Sequence, residues 1–186
     1  MQFLTSMLAA SAALATIASA ASVHFVNQDN TTRTLMFTPS LVFSTGNETI
    51  SNLTIKGLAA VNQTFPTGYI GNWYSRSDGA NNTSGMLGEV CFDSWRGMTY
   101  FDVSAIVNPD DNNGVKEMFP LGTNTPLSGC QSFPCDNAYN APDDIQTQAT
   151  DSNQLVCLIG NLASSKRSIG GKFHKDAVAG KRSSSN

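Results

Sequence analysis

Residues 86–111 alternate between two classes of side chain, and this alternation constrains the fold more than any other feature of the chain. In the first half, Gly88, Val90 and Phe92 alternate with Leu87, Glu89 and Cys91. In the second half, Phe101, Val103, Ala105 and Val107 alternate with Tyr100, Asp102 and Ser104. A period of two is typical of strands that bury one face, and residues 94–97 between the halves supply a turn. The sequence therefore predicts a β-hairpin.

The hairpin predicts a pair of opposed carboxylates. If it is symmetric about Trp95 and Arg96, Glu89 lies directly opposite Asp102, and both side chains point away from the apolar face. Like charges directly opposed across two strands are destabilising, so such a pair needs a cation, a shared proton or ample water. Two interpretations remain open: a solvated polar face, or the acidic floor of a binding cleft.

The rest of the chain also has a β pattern. Short runs separated by Asn, Thr, Gly and Pro predict strands at residues 23–28, 33–38, 49–55, 58–65, 69–76 and 155–159. No convincing amphipathic helix and no internal repeat occurs. Many short strands with frequent turns predict an all-β sandwich or barrel.

The N-terminus has the pattern of a secretory signal. The first 20 residues carry no charge and end in Ala18, Ser19 and Ala20. A short apolar run that ends in small residues is typical of a signal peptide rather than of a membrane span. We therefore expect residues 1–20 to be removed, residues 21–163 to form one domain, and the protein to be secreted.

The cysteines support an extracellular location. Cys91, Cys130, Cys135 and Cys157 are even in number, which predicts two disulfides in a secreted chain, with three possible pairings. Spacing favours Cys130–Cys135 with Cys91–Cys157. No histidine lies near them and no paired C-x-x-C occurs, so no metal or other cofactor is expected.

Six N-glycosylation sequons all precede the hairpin: Asn30, Asn47, Asn52, Asn62, Asn81 and Asn82. The last two overlap, so only one of them is expected to carry a glycan. The grouping predicts a glycan-covered, solvent-facing side of the domain.

Charge is divided between the domain and the tail. Up to residue 165 the chain has 5 basic and 13 acidic residues, a net charge of −8, whereas the remainder has 6 basic and 1 acidic residue, a net charge of +5. An acidic domain disfavours nucleic acid and anionic membrane as partners.

The tail, residues 164–186, is rich in Ser, Gly and Lys and is predicted to be disordered. Two Lys-Arg pairs in it predict proteolytic processing after Arg167 and Arg182. The alternatives are a solubilising tail, or a tail that contacts acidic wall polymers or the acidic domain.

Several segments resemble, in order, the motifs of thaumatin-like proteins. They are S-V-H-F-V-N from Ser22, P-T-G-Y-I-G-N-W-Y-S-R from Pro66, L-G-E-V from Leu87, Y-F-D-V-S from Tyr100, and C-D-N-A-Y, P-D-D and V-C between Cys135 and Cys157. The chain most resembles the short fungal secreted members, which are associated with the cell wall and spore germination. The resemblance implies a thaumatin-like β-sandwich, although most of the family's cysteines are missing and its disulfide-rich middle region is reduced to residues 122–134.

The resemblance also implies an acidic cleft that binds β-1,3-glucan. By position its residues would be Arg76, Glu89, Asp102, one of Asp143 and Asp144, and one of Asn108 and Asp110. The family pattern further implies the disulfides Cys91–Cys135 and Cys130–Cys157, and we favour it over the local pairing.

Three functions are carried forward as hypotheses. The leading one is a secreted, non-enzymatic or weakly enzymatic protein that binds β-glucan or another wall polysaccharide and acts in wall remodelling during spore germination and growth. The second is an endo-β-1,3-glucanase with Glu89 and Asp102 as catalytic residues, whose Cβ atoms about 5 Å apart favour a retaining mechanism. The third is an adhesin or effector that binds a host surface protein. The protein is expected to be a monomer.

Aromatic and histidine residues refine these hypotheses. Tyr69, Trp73 and Tyr74 fit either stacking on sugar rings or packing in the core. The two histidines, His24 in the first predicted strand and His174 in the tail, leave the domain without a second histidine for a catalytic triad or a metal site.

Overall fold

A computed structural model describes residues 20–40 and 49–162, which form two β-sheets around a shared apolar core. The all-β prediction is confirmed: within these two ranges the only helical segment is the 3₁₀ turn Trp95–Gly97. The predicted signal peptide, the sequon Asn47, and the tail with both processing sites lie outside the described residues, apart from Ala20 at the end of the signal.

The described strands are, in chain order, β1 Ser22–Asn27, β2 Arg33–Pro39, β3 Leu53–Ile55, β4 Ala60–Thr64, β5 Ile70–Ser77, β6 Leu87–Cys91, β7 Thr99–Ser104, β8 Val115–Pro120, β9 Ser128–Gly129, β10 Gln148–Thr150 and β11 Gln154–Ile159. The first sheet has the order β4-β1-β11-β8-β9, and the second has the order β10-β7-β6-β5-β2-β3. Strands β1 and β11 run parallel, and the other ladders are antiparallel.

The predicted hairpin is formed by β6 and β7. The segment between the two strands contains three residues in the left-handed region: Asp93 with φ 48°, Arg96 with φ 60° and Gly97 with φ 69°. Gly97 adopts this conformation without a Cβ clash, which makes the tight reversal possible. The register is symmetric about residues 95 and 96, as the sequence predicts.

Strand β8 is the largest element that the sequence pattern did not predict. Its sequence, V-K-E-M-F-P, includes the charged residues Lys116 and Glu117, which are not typical of a buried strand. The fold nevertheless places it next to β11 in the first sheet, with Lys116 only 1% exposed. The strand is buried because it pairs with β11, about 40 residues later in the chain, and no local sequence pattern indicates that pairing.

The core between the sheets is built around aromatic side chains. The Trp73 ring meets Phe25 edge-on, with the ring centroids 5.3 Å apart, and Phe65 packs against both Trp73 and Tyr69. Trp73 and Tyr69 are buried, so their role is packing and they are not available to stack on a ligand.

The disulfide pattern corrects two predictions. Cys130 is bonded to Cys135, and Cys91 and Cys157 are free. The family pairing Cys91–Cys135 with Cys130–Cys157 is therefore wrong, and so is the expectation of a second disulfide, Cys91–Cys157. The reason is placement: Cys157 is fully buried in the core, whereas Cys91 lines a cleft on the outer face of the second sheet.

Candidate functional site

A cleft of about 700 Å³ lies on the outer face of the second sheet, where β2, β5, β6 and β7 present side chains away from the core. We call it the acidic cleft. Its lining residues are Thr38, Pro39, Ser40, Ile70, Gly71, Asn72, Glu89, Val90, Cys91, Tyr100, Asp102, Ile106, Tyr139, Pro142 and Thr147. Its volume falls in the range of typical ligand pockets.

Glu89 and Asp102 are direct partners across β6 and β7, which confirms the predicted register. Asn72 pairs with Glu89 on the next strand, and Thr38 pairs with Asn72 on the strand after that. Residues paired in this way lie side by side on one face of a sheet. The floor of the cleft is therefore a polar row that crosses four strands.

The two acids interact with each other, and a hydrogen bond forms between them when Asp102 carries its proton. Burial raises the pKa of Asp102 to about 7, and the negative charge of Glu89 and the hydrogen bond with it act in the same direction. Burial also raises the pKa of Glu89. Two neighbouring carboxylates cannot both ionise easily, so Asp102 retains its proton at slightly acid pH.

A chain of hydroxyl groups leads from the cleft wall to Asp102. The Thr147 hydroxyl donates to Asp102 Oδ2 at 3.2 Å, and the Tyr139 hydroxyl lies 2.8 Å from the Thr147 oxygen. Because Thr147 donates its hydrogen to the carboxyl group, Tyr139 is the donor in the second bond. Asp102 Oδ1, in contrast, is buried and no described side chain donates to it.

Two residues that the resemblance assigns to the cleft lie elsewhere. Arg76 and Asp110, together with Asn108, line a second cavity of about 240 Å³. Arg76 shares the outer face with Asn72 but lies four residues further along β5, which is about 13 Å. The acidic cleft is therefore formed without the arginine that the resemblance implies.

Asp143 and Asp144 do not line the cleft either, although Pro142 before them does. The Asp144 carboxylate accepts the backbone N–H groups of Asn140 at 2.7 Å and Ala141 at 2.8 Å. These bonds hold the pKa of Asp144 below its usual value. Asp144 thus stabilises the turn that carries Pro142 to the rim, and Asp143 is exposed.

Several lining residues were missed by sequence reasoning, namely Tyr100, Tyr139, Asn72, Thr38 and Thr147. Tyr100 could have been predicted to line the cleft, because it lies two residues before Asp102 on the same face of β7. Tyr139 and Thr147 come from a loop distant in sequence, and no local pattern marks them.

The five described sequon asparagines, Asn30, Asn52, Asn62, Asn81 and Asn82, are all exposed. Glycosylation of these residues stays a prediction. Within residues 20–40 and 49–162, no cluster of three or more His, Cys, Asp or Glu side chains has the arrangement of a metal site. The same residues contain no helix with the length and apolarity needed to span a bilayer.

Comparison with known proteins gives one informative relative. The antigenic protein SchS21 of Stachybotrys chartarum is 47% identical to this chain over 140 residues, which are 75% of this chain and 94% of that protein. No protein-family model matches the chain.

Proposed function

The chain belongs to the family of the antigenic protein SchS21, and we propose that it is a secreted thaumatin-like wall protein that binds β-1,3-glucan in the acidic cleft. On this proposal it acts in wall remodelling during spore germination and growth. The name of the relative identifies an antigen and no ligand, so the proposal depends on the cleft and on the sequence motifs that resemble thaumatin-like proteins.

The observation that carries the proposal is the polar row on the floor of an open cleft. Glu89 and Asp102 offer carboxyl oxygens, and Asn72 and Thr38 offer an amide and a hydroxyl group, all on one face. Sugar hydroxyl groups both donate and accept hydrogen bonds, so they match such a mixture. Tyr100 and Tyr139 in the lining have rings suited to the apolar faces of sugar rings.

The burial of the carboxyl pair favours binding over hydrolysis. Retaining and inverting glycosidases both need one carboxyl group in its ionised form, as nucleophile or as base. Burial raises the pKa of both Glu89 and Asp102, which disfavours that ionised form. The second candidate, an endo-β-1,3-glucanase, keeps one favourable feature: burial raises the pKa of Asp102 to about 7, so it can serve as a general acid near neutral pH beside a second carboxyl group.

The test is a pull-down on insoluble β-1,3-glucan, followed by an assay for released reducing sugar. We expect the protein to bind and to release no sugar. The double variant Glu89→Gln with Asp102→Asn should lose binding. A matched control, Asp110→Asn, removes a charge from the second cavity and should bind like the parent.

Release of sugar by the parent and not by the double variant would replace the proposal with the glucanase. Binding by the double variant equal to that of the parent would show that the acidic cleft is not the site. Absence of both binding and release would leave the third hypothesis, recognition of a host surface protein.

A further inference from the structure

The acidic cleft contains two carboxyl groups, and the described part of the chain places no compensating cation there. Among the described residues no Lys or Arg side chain lines it, and Arg76 lies in the second cavity. Within the described ranges acidic residues outnumber basic residues by 12 to 5, so the surrounding field also favours a positively charged ligand.

When Asp102 is ionised, one of its carboxylate oxygens at the cleft floor has no donor. Its side chain is only 8% exposed, and its Oδ1 has no donor among the described groups. A buried carboxyl oxygen without a donor is costly, and an ionised Glu89 has no hydrogen to give. Either a shared proton or a ligand with donors must complete the pair.

An ammonium group supplies what the pair lacks. It carries three N–H donors and one positive charge, so it can bond to both carboxylates and replace their repulsion by attraction. The neighbouring Asn72 and Thr38 then remain available to the hydroxyl groups of the same ligand. Tyrosine rings in the lining also favour a nearby cation.

We propose that the acidic cleft binds an amino sugar, a glucosamine unit of a deacetylated wall polysaccharide, with its ammonium group held between Glu89 and Asp102. This inference uses the proposed function only in treating the cleft as a saccharide site. A lysine side chain is the competing source of an ammonium group. It is disfavoured because its apolar stem carries no hydroxyl group that could bond to Thr38 and Asn72.

Binding of an ammonium group has a proton signature that binding of a neutral glucan lacks. The free pair retains the proton of Asp102 at slightly acid pH, because burial raises the pKa of Asp102 to about 7. A cation between the two groups favours the doubly ionised pair and expels that proton. A neutral sugar has no reason to expel it.

The experiment is isothermal titration calorimetry of the full chain at pH 6 and low salt. Three oligosaccharides of equal length serve as probes: glucosamine, N-acetylglucosamine and β-1,3-linked glucose. We expect the glucosamine oligomer to bind at least about tenfold more tightly than the acetylated one, since a buried charge pair is lost on acetylation. Repeating the titration in buffers of different ionisation enthalpy should reveal release of about one proton with glucosamine alone.

Variants localise the effect. Asp102→Asn should abolish the preference for glucosamine and the proton release, and Asp110→Asn should leave both unchanged. Because Asp102 is buried, Glu89→Gln at the half-buried partner is a second variant with the same expected loss. Circular dichroism of each variant confirms that it is folded.

The outcomes separate this inference from the proposed function. Binding of the glucan oligomer without a preference for glucosamine overturns the amino-sugar inference and leaves the proposed function in place. Binding of glucosamine alone supports the inference and overturns the β-glucan proposal. A lysine-containing peptide that binds as tightly as glucosamine and competes with it overturns the amino-sugar assignment, and absence of any binding overturns both.

Discussion

Gly88 lies directly opposite Trp73 across β5 and β6, and the indole occupies the space that a side chain at Gly88 would need. A Cβ atom there would lie 2.6 Å from Trp73 Nε1 and 3.0 Å from the sulfur of Met118. The indole of Trp73 therefore packs over Gly88 on the core side of the sheet. Because side chains alternate along a strand, the neighbouring residues Asn72 and Glu89 face the cleft on the other side. Packing on one face of the sheet therefore helps to position the acids on the other.

Gly88→Ala should destabilise the protein by about 1–3 kcal/mol, since an added methyl group in a filled core forces its neighbours to move. Urea denaturation measures this difference. The exposed Ala149→Ser on β10 is the control and should change the free energy of unfolding by less than about 0.5 kcal/mol. Parent-like stability of Gly88→Ala would show that the indole does not fill this space.

The free energy of unfolding should fall as the pH rises from about 4 to about 7. Asp102 has its pKa raised by burial from 3.8 to about 7, so the folded state binds its proton more tightly than the unfolded state does. The resulting stability is fully present below the unfolded pKa and is lost as the pH rises through the folded pKa, for a change on the order of 2–4 kcal/mol. Denaturation curves at pH 4, 5.5 and 7 test this.

Asp102→Asn removes that titration and should flatten the pH dependence. Asp110→Asn, which removes an exposed carboxylate, should retain the slope of the parent. If the parent and Asp102→Asn have the same slope, the buried acid is not the source of the pH dependence.

The four cysteines should react in three distinct ways with iodoacetamide. Cys91, half-buried in the cleft, should be alkylated in the native protein, and Cys157 only after unfolding, because burial raises the pKa of its thiol to about 12. Cys130 and Cys135 should react only after reduction. Peptide mapping identifies the labelled residues, and a Cys91–Cys157 or Cys130–Cys157 cross-link would contradict the structure.

Lys116→Met should destabilise the protein by about 2–4 kcal/mol. The Lys116 ammonium group is buried and donates to the backbone oxygens of Asn112 and Gln131. Its removal leaves these acceptors without a donor. Lys56→Met, at an exposed position, is the matched control and should be near neutral in urea denaturation. Equal stability of the two variants would refute a structural role for the buried lysine.

The hairpin shows how much of the site was readable from local sequence. Alternation fixed which residues of β6 and β7 face inward, and the turn at Trp95 and Arg96 fixed the register. Both signals lie within a few residues of the chain, so the pairing of Glu89 with Asp102 could be predicted before the fold was known.

Arg76 and Cys157 show where sequence reasoning fails. A resemblance aligns positions along the chain, but it does not measure the distance of Arg76 from Glu89, and the strand carries it into another cavity. The burial of Cys157 in the core, away from Cys130, likewise follows from the packing of two sheets and from no feature of its neighbours in sequence.

By itself, the sequence determined the β-class of this protein and the opposed acids, because strand periodicity and turn chemistry are local properties of the chain. Only the tertiary structure decided which residues form the walls of the cleft, which cysteines are bonded, and that Lys116 is buried. Tyr139 and Thr147 reach Asp102 from a loop distant in sequence. Such contacts depend on where whole strands pack, and the free energy of that packing is shared among residues that no local pattern connects.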